Sequence, residues 1–218
     1  MSLAQARYNM IEQQIRPWHV LEPAVLDLLD TTPRELFVSQ EYEALAYTDT
    51  NLPLGHGEEM MPPRIEARMI QALDIQPTDN ILEVGTGSGY VTALLAKSGQ
   101  HVTSVDIIPE FTEIAADRLQ KQAINNITLE TGDAATDWST NAPYDVIAIT
   151  GSLPLYPHAY ADRLKIGGRL FAIIGDAPVM TAIIITRTGE NEWEREDLFE
   201  TELKPLKNAP QPESRFKF

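Results

Sequence analysis

The segment Ile81–Tyr90 reads ILEVGTGSGY, an apolar run that leads into three glycines and then into a helical pattern. Gly85, Gly87 and Gly89 can adopt backbone conformations that other residues rarely take, and they let backbone N–H groups come close to a ligand. A buried strand that ends in such a turn is typical of the first βα unit of an open parallel sheet. This segment therefore constrains the fold more than any other part of the chain.

After this turn, strand and helix patterns alternate along the chain. We predict strands at 80–86, 101–107, 127–132, 144–150 and 168–174, helices at 88–98, 109–122 and 157–164, and a final antiparallel pair of strands at 179–188 and 195–206. Such alternation indicates a mostly parallel sheet with helices on both faces. The predicted fold is therefore α/β, a Rossmann-like, doubly wound sheet of seven strands.

The part of the chain before the turn is predicted to be helical at first and then irregular. Apolar spacing and proline positions predict helices at 4–15, from Glu22, from Thr32 and at 63–73, with Pro17 ending the first. Residues 46–62 lack any period and are predicted to form an ordered loop. We divide the chain into an N-terminal helical extension with a substrate-side loop (1–62), a cofactor-binding core (63–206) and a C-terminal tail (207–218).

Composition excludes several classes of function. The 218 residues carry a net charge of −15, which disfavours a nucleic-acid partner, and they include no cysteine, which excludes disulfides and thiolate metal sites. The apolar runs are too short to span a bilayer as helices. His56, Glu58 and Glu59 match no common metal site, so we predict no metal. We expect a cytoplasmic protein with no membrane partner, and the oligomeric state stays open.

The spacing of the glycines bears on the kind of cofactor. A dinucleotide-binding turn needs a third glycine at the sixth position of the motif, where this chain has Tyr90. Glu83 places a carboxylate just before the turn, where it would repel a pyrophosphate but attract the ammonium group of an amino-acid cofactor. Both features favour S-adenosylmethionine over NAD.

Acidic residues follow the next two predicted strands. Asp106 lies about 20 residues beyond the turn, where a carboxylate can accept hydrogen bonds from both ribose hydroxyls; capping the following helix is the alternative. Asp133, with Ala134 beside it, is placed to accept a hydrogen bond from an adenine amino group, or else only shapes a turn. Thr150 and Gly151 end the fourth strand and should line the same cleft.

With these residues the chain resembles the class I S-adenosylmethionine-dependent methyltransferases and, more narrowly, the protein-L-isoaspartate (D-aspartate) O-methyltransferase family. Residues 32–38 (TPRELFV) resemble the family's PRE-x-FV segment, residues 46–57 its substrate-side loop, and residues 164–170 its late turn and strand. The resemblance implies methylation of the free carboxylate of isoaspartyl residues in damaged proteins. It also implies S-adenosyl-L-methionine as cofactor and S-adenosyl-L-homocysteine as product.

The chain departs from the family after the substrate-side loop. There the family typically reads Thr-Ile-Ser-x-Pro, and its serine lies beside the reacting carboxylate, whereas residues 59–63 of this chain read EMMPP. Met61 takes the serine position and cannot donate a hydrogen bond to a carboxylate. Glu58 and Glu59 would repel an anionic substrate if they face the cleft. The alternatives are a different acceptor, such as a small molecule, and cofactor binding without turnover.

The candidate residues form two sets, and none of them is assigned a catalytic role. The predicted cofactor-binding residues are Pro62, Pro63, Glu83, Gly85, Thr86, Gly87, Ser88, Gly89, Asp106, Ile107, Asp133, Ala134, Thr150 and Gly151. The predicted substrate-side residues are Leu54, His56, Glu59 and Met61. Whether the C-terminal tail covers the cleft is not decided by its sequence.

Overall fold

The structure, a computed structural model, describes residues 2–212. The N-terminal region is helical and ends in a small hairpin. Its elements are helix α1 (Leu3–Met10), a π-helical turn (Ile11–Ile15), a 3-10 turn (Arg16–Trp18), helix α2 (Pro23–Asp30), 3-10 turns at Arg34–Phe37 and Gln40–Leu45, strands β1 (Leu52–Gly55) and β2 (Glu58–Met60), and helix α3 (Pro63–Leu73).

A seven-stranded sheet forms the core, as predicted. Its elements are β3 (Asn80–Val84), α4 (Tyr90–Ser98), β4 (His101–Asp106), α5 (Pro109–Lys121), β5 (Ile127–Thr131), β6 (Tyr144–Leu153), α6 (His158–Asp162), β7 (Leu164–Asp176), β8 (Val179–Gly189) and β9 (Glu192–Thr201). The strand order is β5-β4-β3-β6-β7-β8-β9. Strands β3 to β7 pair in parallel, whereas β8 and β9 join antiparallel.

The strand order reverses beside β3, which is the point where open α/β sheets bind their ligands. From β3 the chain first builds outward through β4 and β5, and it then crosses back to β6 on the other side of β3. The carboxyl end of β3 leads into the glycine turn, and the ends of β4 and β6 flank it. The topology therefore gathers the segments after three strands at one edge of the sheet.

The central strands are buried on both faces. Val146 and Ala148 pack in one hydrophobic cluster, Ile147 and Ile149 pack in a second, and all four are fully buried. Alternating side chains of a strand point to opposite faces, so the two clusters lie on the two sides of the sheet. The resulting rigid scaffold holds the ends of β3, β4 and β6 in fixed positions.

Several sequence-based boundaries are wrong, and the clearest error lies within residues 46–62. This segment is not a loop throughout, because β1 and β2 pair as a hairpin whose register shifts between Pro53 and Gly55. His56 and Gly57 take positive φ values of 53° and 75° to make the turn. Strands of four and three residues are too short to show a hydrophobic period.

Other elements differ in length. Helical turns continue through Pro17 to Trp18, because a proline is tolerated in the first turn of the new 3-10 segment. Strand β7 begins at Leu164 rather than at 168, since Leu164 pairs with Tyr144 ahead of a register shift. Strand β9 ends at Thr201 rather than at 206. The domain division remains a prediction, and residues 213–218 of the predicted tail lie outside the described residues.

Across residues 2–212, none of the helices combines the length and the apolar composition that crossing a membrane requires.

Candidate active site

The turn after β3 has a backbone shape that glycine alone accommodates well. Gly85 has a φ of 100°, and a Cβ atom there would lie 2.2 Å from the hydroxyl oxygen of Thr150. That hydroxyl donates hydrogen bonds to the carbonyl oxygens of Val84 (2.9 Å) and Gly85 (2.7 Å). The end of β6 therefore holds the start of the turn against the sheet.

A single cavity opens at this edge of the sheet, and its lining includes most of the predicted residues. From the predicted sets it is lined by Leu54, Glu59, Met61, Gly85, Thr86, Gly87, Ser88, Asp106, Ile107, Asp133, Ala134, Thr150 and Gly151. The hairpin, the glycine turn, the ends of β4 and β6 and the segment after β5 thus meet around one space. The predicted residues that do not line it are Pro62, Pro63, Glu83, Gly89 and His56.

Asp106 holds the glycine turn and starts the next helix. One carboxylate oxygen accepts a hydrogen bond from the N–H of Gly87 (2.9 Å), and the other accepts from the N–H of Ile108 (2.9 Å). Burial raises the pKa of Asp106, although both N–H groups oppose the rise. The capping role is thus present in the structure. Asp106 also lines the cavity, and each carboxylate oxygen can accept more than one hydrogen bond, so the capping role leaves room for a ligand hydroxyl.

Asp133 is held at the next strand end. Its carboxylate accepts from the N–H of Ala135 (3.0 Å) and from the side-chain amide of Asn208 (2.8 Å). The first bond shapes the turn after β5, which is the role that the sequence offered as an alternative to adenine binding. The second bond connects the end of β5 to the C-terminal segment.

Glu83 lies beneath the turn rather than in the cavity lining. Its side chain is fully buried, and one oxygen accepts from the hydroxyls of Thr92 (2.5 Å) and Ser104 (2.6 Å), while the other has no partner. Burial raises the pKa of Glu83 to about 8, although the Ser104 and Thr92 hydroxyls oppose the rise. Ser104 also bonds to the Thr86 hydroxyl (2.6 Å), which connects Glu83 to the turn itself.

A buried ion pair holds the hairpin side of the cavity. The Arg34 guanidinium, with no exposed surface, donates to the Glu66 carboxylate (3.0 and 3.3 Å) and to the carbonyl oxygens of Ala46 (2.8 Å) and Met61 (2.5 Å). Burial raises the pKa of Glu66, and the Arg34 charge limits the rise. Arg34 therefore fixes the backbone on both sides of the hairpin.

Arg34 and Glu66 are not among the site residues predicted from the sequence. Arg34 belongs to the TPRELFV segment that carried the family resemblance, but nothing in the sequence assigned it a partner. A usable signal lay in α3, where Glu66 falls three and four residues before the buried Met69 and Ile70. A carboxylate on the apolar face of a helix needs a cation or hydrogen-bond donors.

The acidic residues of the hairpin are both partnered. The Glu58 carboxylate pairs with the ammonium groups of Lys204 (3.1 Å) and Lys207 (3.3 Å). The Glu59 carboxylate accepts a hydrogen bond from the side-chain amide of Asn51 (2.8 Å). Both acids line the cavity, but their partners reduce the repulsion that their charges alone would exert on an anion.

The C-terminal segment runs along the end of β6 and forms one wall of the cavity. The N–H of Ser152 donates to the carbonyl oxygen of Lys204 (2.9 Å), and the N–H of Leu206 donates to that of Ser152 (3.0 Å). Residues 203–207 line the cavity. The sequence did not decide whether the C-terminal tail lies near the cleft, and in the structure residues 203–207 lie beside it.

The described part of the chain shows no arrangement of side chains that would support a metal site. Among residues 2–212, histidine, cysteine, aspartate and glutamate side chains form no group that could hold a metal ion. The His56 ring instead packs edge-on against Phe111, with ring centroids 5.6 Å apart.

Comparisons with known proteins identify the family. The sequence pattern of the family described as protein-L-isoaspartate (D-aspartate) O-methyltransferase matches residues 5–209. The protein-L-isoaspartate O-methyltransferase 1 of Rhodopseudomonas palustris (strain HaA2) is 36% identical over 206 residues, which cover 94% of this chain and 84% of that protein. Protein-L-isoaspartate O-methyltransferase 2 of Pelobacter propionicus is 36% identical over 204 residues, covering 93% and 91%.

Solved structures share the fold. A protein-L-isoaspartate O-methyltransferase superposes with a TM-score of 0.80 at 22% identity, covering 94% of this chain and 67% of that one. A second, from Plasmodium falciparum in complex with S-adenosyl-L-homocysteine, has a TM-score of 0.78 at 18% identity and covers 96% of this chain and all of that one. With the sequence match extending over nearly its whole length, the chain belongs to the protein-L-isoaspartate (D-aspartate) O-methyltransferase family.

Proposed function

We propose that this chain transfers a methyl group from S-adenosylmethionine to the free carboxylate of L-isoaspartyl residues in proteins. One observation carries the proposal: one cavity is lined both by the glycine turn after β3 and by Met61, which by the resemblance takes the place of the family's serine. Family membership over residues 5–209 supports the same reaction. The relatives named above carry the name of this activity.

The residues around the glycine turn fit an adenosine-bearing methyl donor. A Cβ atom on Gly87 would lie 3.1 Å from Leu54 and would fill part of the space between turn and hairpin. We propose that Asp106 accepts hydrogen bonds from the ribose hydroxyls and that Asp133 and Ala134 lie beside the adenine. The complex of the Plasmodium falciparum protein with S-adenosyl-L-homocysteine supports this choice of cofactor and product.

The remaining predicted cofactor residues divide into contacting and positioning groups. Thr86, Ser88, Ile107, Thr150 and Gly151 line the cavity, so we propose that they contact the cofactor. Glu83 lies beneath the turn and Gly89 ends it at the start of α4, while Pro62 and Pro63 lie at the start of α3; none of the four lines the cavity. We propose that these residues hold the lining in place. When bound, the cofactor supplies an electrophilic methyl group.

The chain needs no general base for this reaction. An isoaspartyl carboxylate, with a pKa of about 4, is already ionised near neutral pH, so the protein's work is to position it and to exclude water. Met60 and Met61 contribute apolar, almost fully buried side chains to the acceptor side. Arg34 holds the Met61 carbonyl oxygen and thereby fixes that wall.

We propose a protein or peptide as the acceptor and leave the small-molecule alternative as an outcome of the test. The absence of a nucleic-acid substrate and a cytoplasmic location remain predictions, the first supported by the net charge of −15.

A methyl-transfer assay tests the function. Purified protein should transfer label from S-adenosylmethionine to an isoaspartyl peptide but not to the same peptide with ordinary aspartate. Met61→Ser should raise kcat/KM by about tenfold, because a hydroxyl donor to a charged group contributes about 1.5 kcal/mol or more. Met60→Ser is the matched control and should bring no gain.

Three results would count against the proposal. Transfer that occurs only in Met61→Ser would mean that the natural chain acts on another acceptor. Transfer to neither peptide by any variant, with S-adenosylmethionine still bound in calorimetry, would favour a small-molecule acceptor or binding without turnover. Loss of binding in calorimetry would overturn the cofactor assignment.

A further inference from the structure

The cavity carries many negative charges and few positive ones. Among the described residues that line it, the cationic side chains are Lys204 and Lys207. The acidic side chains that line it are Glu58, Glu59, Glu66, Asp106 and Asp133. A site that receives an anionic acceptor needs positive charge or hydrogen-bond donors within it, because the acceptor gives up part of its hydration on entry.

Most of these carboxylates have partners of their own that are unrelated to the lysines. Glu66 pairs with the buried Arg34, and Glu59 accepts from Asn51. Asp106 and Asp133 accept from backbone N–H groups, and Asp133 accepts also from Asn208. Among the described acids of the cavity, the two lysines form ion pairs with Glu58, and the charge of Lys207 also opposes the rise in the pKa of Asp106.

Both ammonium groups converge on one oxygen of Glu58. The Lys204 and Lys207 nitrogens lie 3.1 and 3.3 Å from the same Oε1 atom. Lys204 also donates to the carbonyl oxygen of Gly57, and Lys207 to that of His56 (3.5 Å). Two ammonium groups held together in this way already form a receptor for a carboxylate, and each has three N–H donors.

The three side chains remain accessible to a ligand. Their exposed fractions are 44% for Lys204, 40% for Lys207 and 19% for Glu58. Ion pairs with this exposure are weak and exchange readily. A second carboxylate that enters the cavity can therefore compete with Glu58 for the lysines at little cost.

We propose that Lys204 and Lys207 bind the carboxylate of the acceptor substrate, and that Glu58 occupies the two ammonium groups until the substrate displaces it. The inference rests on the proposed function, since it concerns the acceptor of that reaction. Met61 cannot donate to the acceptor, and the chain as a whole is strongly acidic, so the two lysines are the positive groups suited to attract it.

Three variants test this assignment in the same methyl-transfer assay. Lys204→Gln and Lys207→Gln should each raise KM for an isoaspartyl peptide about threefold, and together about tenfold, as expected for partly exposed charge pairs. Glu58→Gln should lower KM about threefold, because it removes the internal competitor. Higher ionic strength should raise KM of the natural chain but not that of the double lysine variant.

The matched control removes two lysine charges away from the cavity. Lys121→Gln/Lys165→Gln changes the net charge by the same amount at an exposed position on α5 and a half-buried position at the start of β7, and should leave KM unchanged. The affinity for S-adenosylmethionine, measured by calorimetry, should stay within twofold in every variant.

Distinct outcomes separate this inference from the proposed function. An unchanged KM in the double lysine variant, or a raised KM in Glu58→Gln, would overturn the inference alone. Weakened cofactor affinity without a change in KM would also overturn it, since the lysines would then serve the cofactor. A natural chain that binds cofactor but never methylates the peptide would overturn the proposed function and the inference with it.

Discussion

At the scale of single residues, two buried carboxylates are stabilised in different ways. Glu66 has a full guanidinium partner in Arg34, whereas Glu83 has hydroxyl donors on one oxygen and no partner on the other. Hydroxyls offset the cost of burying a charge less well than a cation does. The raised pKa of Glu83 is the consequence, and it makes this residue sensitive to pH.

Replacing Glu83 by glutamine should remove one component of the pH dependence of stability. The pKa of Glu83 rises from its ordinary value of 4.5 to about 8 on folding. Its contribution to the free energy of unfolding is therefore fully present below about pH 4.5 and is lost as the pH rises to about 8. Urea unfolding of Glu83→Gln should show a flatter decline of stability over that window than the natural chain.

Glu113→Gln, at an exposed position on α5, serves as the control and should keep the natural pH dependence. Identical slopes for Glu83→Gln and the natural chain between about pH 5 and pH 8 would show that Glu83 does not titrate in this range.

At the scale of elements, the cavity depends on segments from the two ends of the chain. The β1–β2 hairpin approaches from the N-terminal region, and residues 203–207 approach along β6. Glu58 joins them through the two lysines, and the hydroxyl of Ser152 donates to the carbonyl oxygen of Leu203 (2.7 Å). Neither element belongs to the parallel sheet, yet both line the cavity at its edge.

Gly151→Ala should displace the C-terminal segment. The added Cβ atom would lie 2.6 Å from Cδ2 of Leu206 and 3.2 Å from the Leu206 backbone nitrogen, so the segment has to move. We expect faster hydrogen exchange at the Leu206 amide and at least several-fold weaker S-adenosylmethionine binding. Hydrogen-exchange mass spectrometry and calorimetry would measure both.

The companion variant Gly151→Ala/Leu206→Ala removes the side chain in conflict and should recover part of the protection. Unchanged exchange in Gly151→Ala would mean that the segment packs less closely on β6 than the structure indicates. The double variant could recover protection from exchange without recovering its affinity for the cofactor. That result would show that packing of the segment on β6 does not by itself determine cofactor binding.

At the scale of the whole molecule, the sheet has two edges, and they are formed by β5 and β9. An exposed edge strand offers unpaired backbone groups to another chain, and charged side chains are one defence against such pairing. Strand β9 reads EWEREDLFET, and its acidic residues are largely exposed. Part of the net charge of −15 therefore lies where it opposes edge-to-edge association.

Removing this charge should promote association. Glu194→Val/Glu196→Val places two β-branched residues on the edge strand, and we expect species larger than those of the natural chain in size-exclusion chromatography with light scattering. Glu110→Val/Glu113→Val makes the same change on α5 and should behave like the natural chain. Equal elution of both double variants would argue that the backbone of β9 is protected by other means.

Much of the core could be predicted from the sequence, because the patterns that indicate its strands and helices are local. Apolar runs that alternate with amphipathic segments predicted seven strands and their mostly parallel arrangement, and the glycines predicted the turn at the end of β3. The hairpin at 52–60 was missed, because strands this short carry no period of their own. The hairpin they form instead packs against α5 and the C-terminal segment, which lie far from it in the sequence.

The sequence alone thus determined the fold class, the family and the positions of the residues that follow β3, β4 and β5, since the signals for each lie within short segments of the chain. Only the tertiary structure decided which charges meet in the cavity. Arg34 and Glu66 lie 32 residues apart, and Lys204 and Glu58 lie 146 apart. Partners at such separations leave no local pattern that pairs them, because the packing of the elements and not the intervening sequence brings them together.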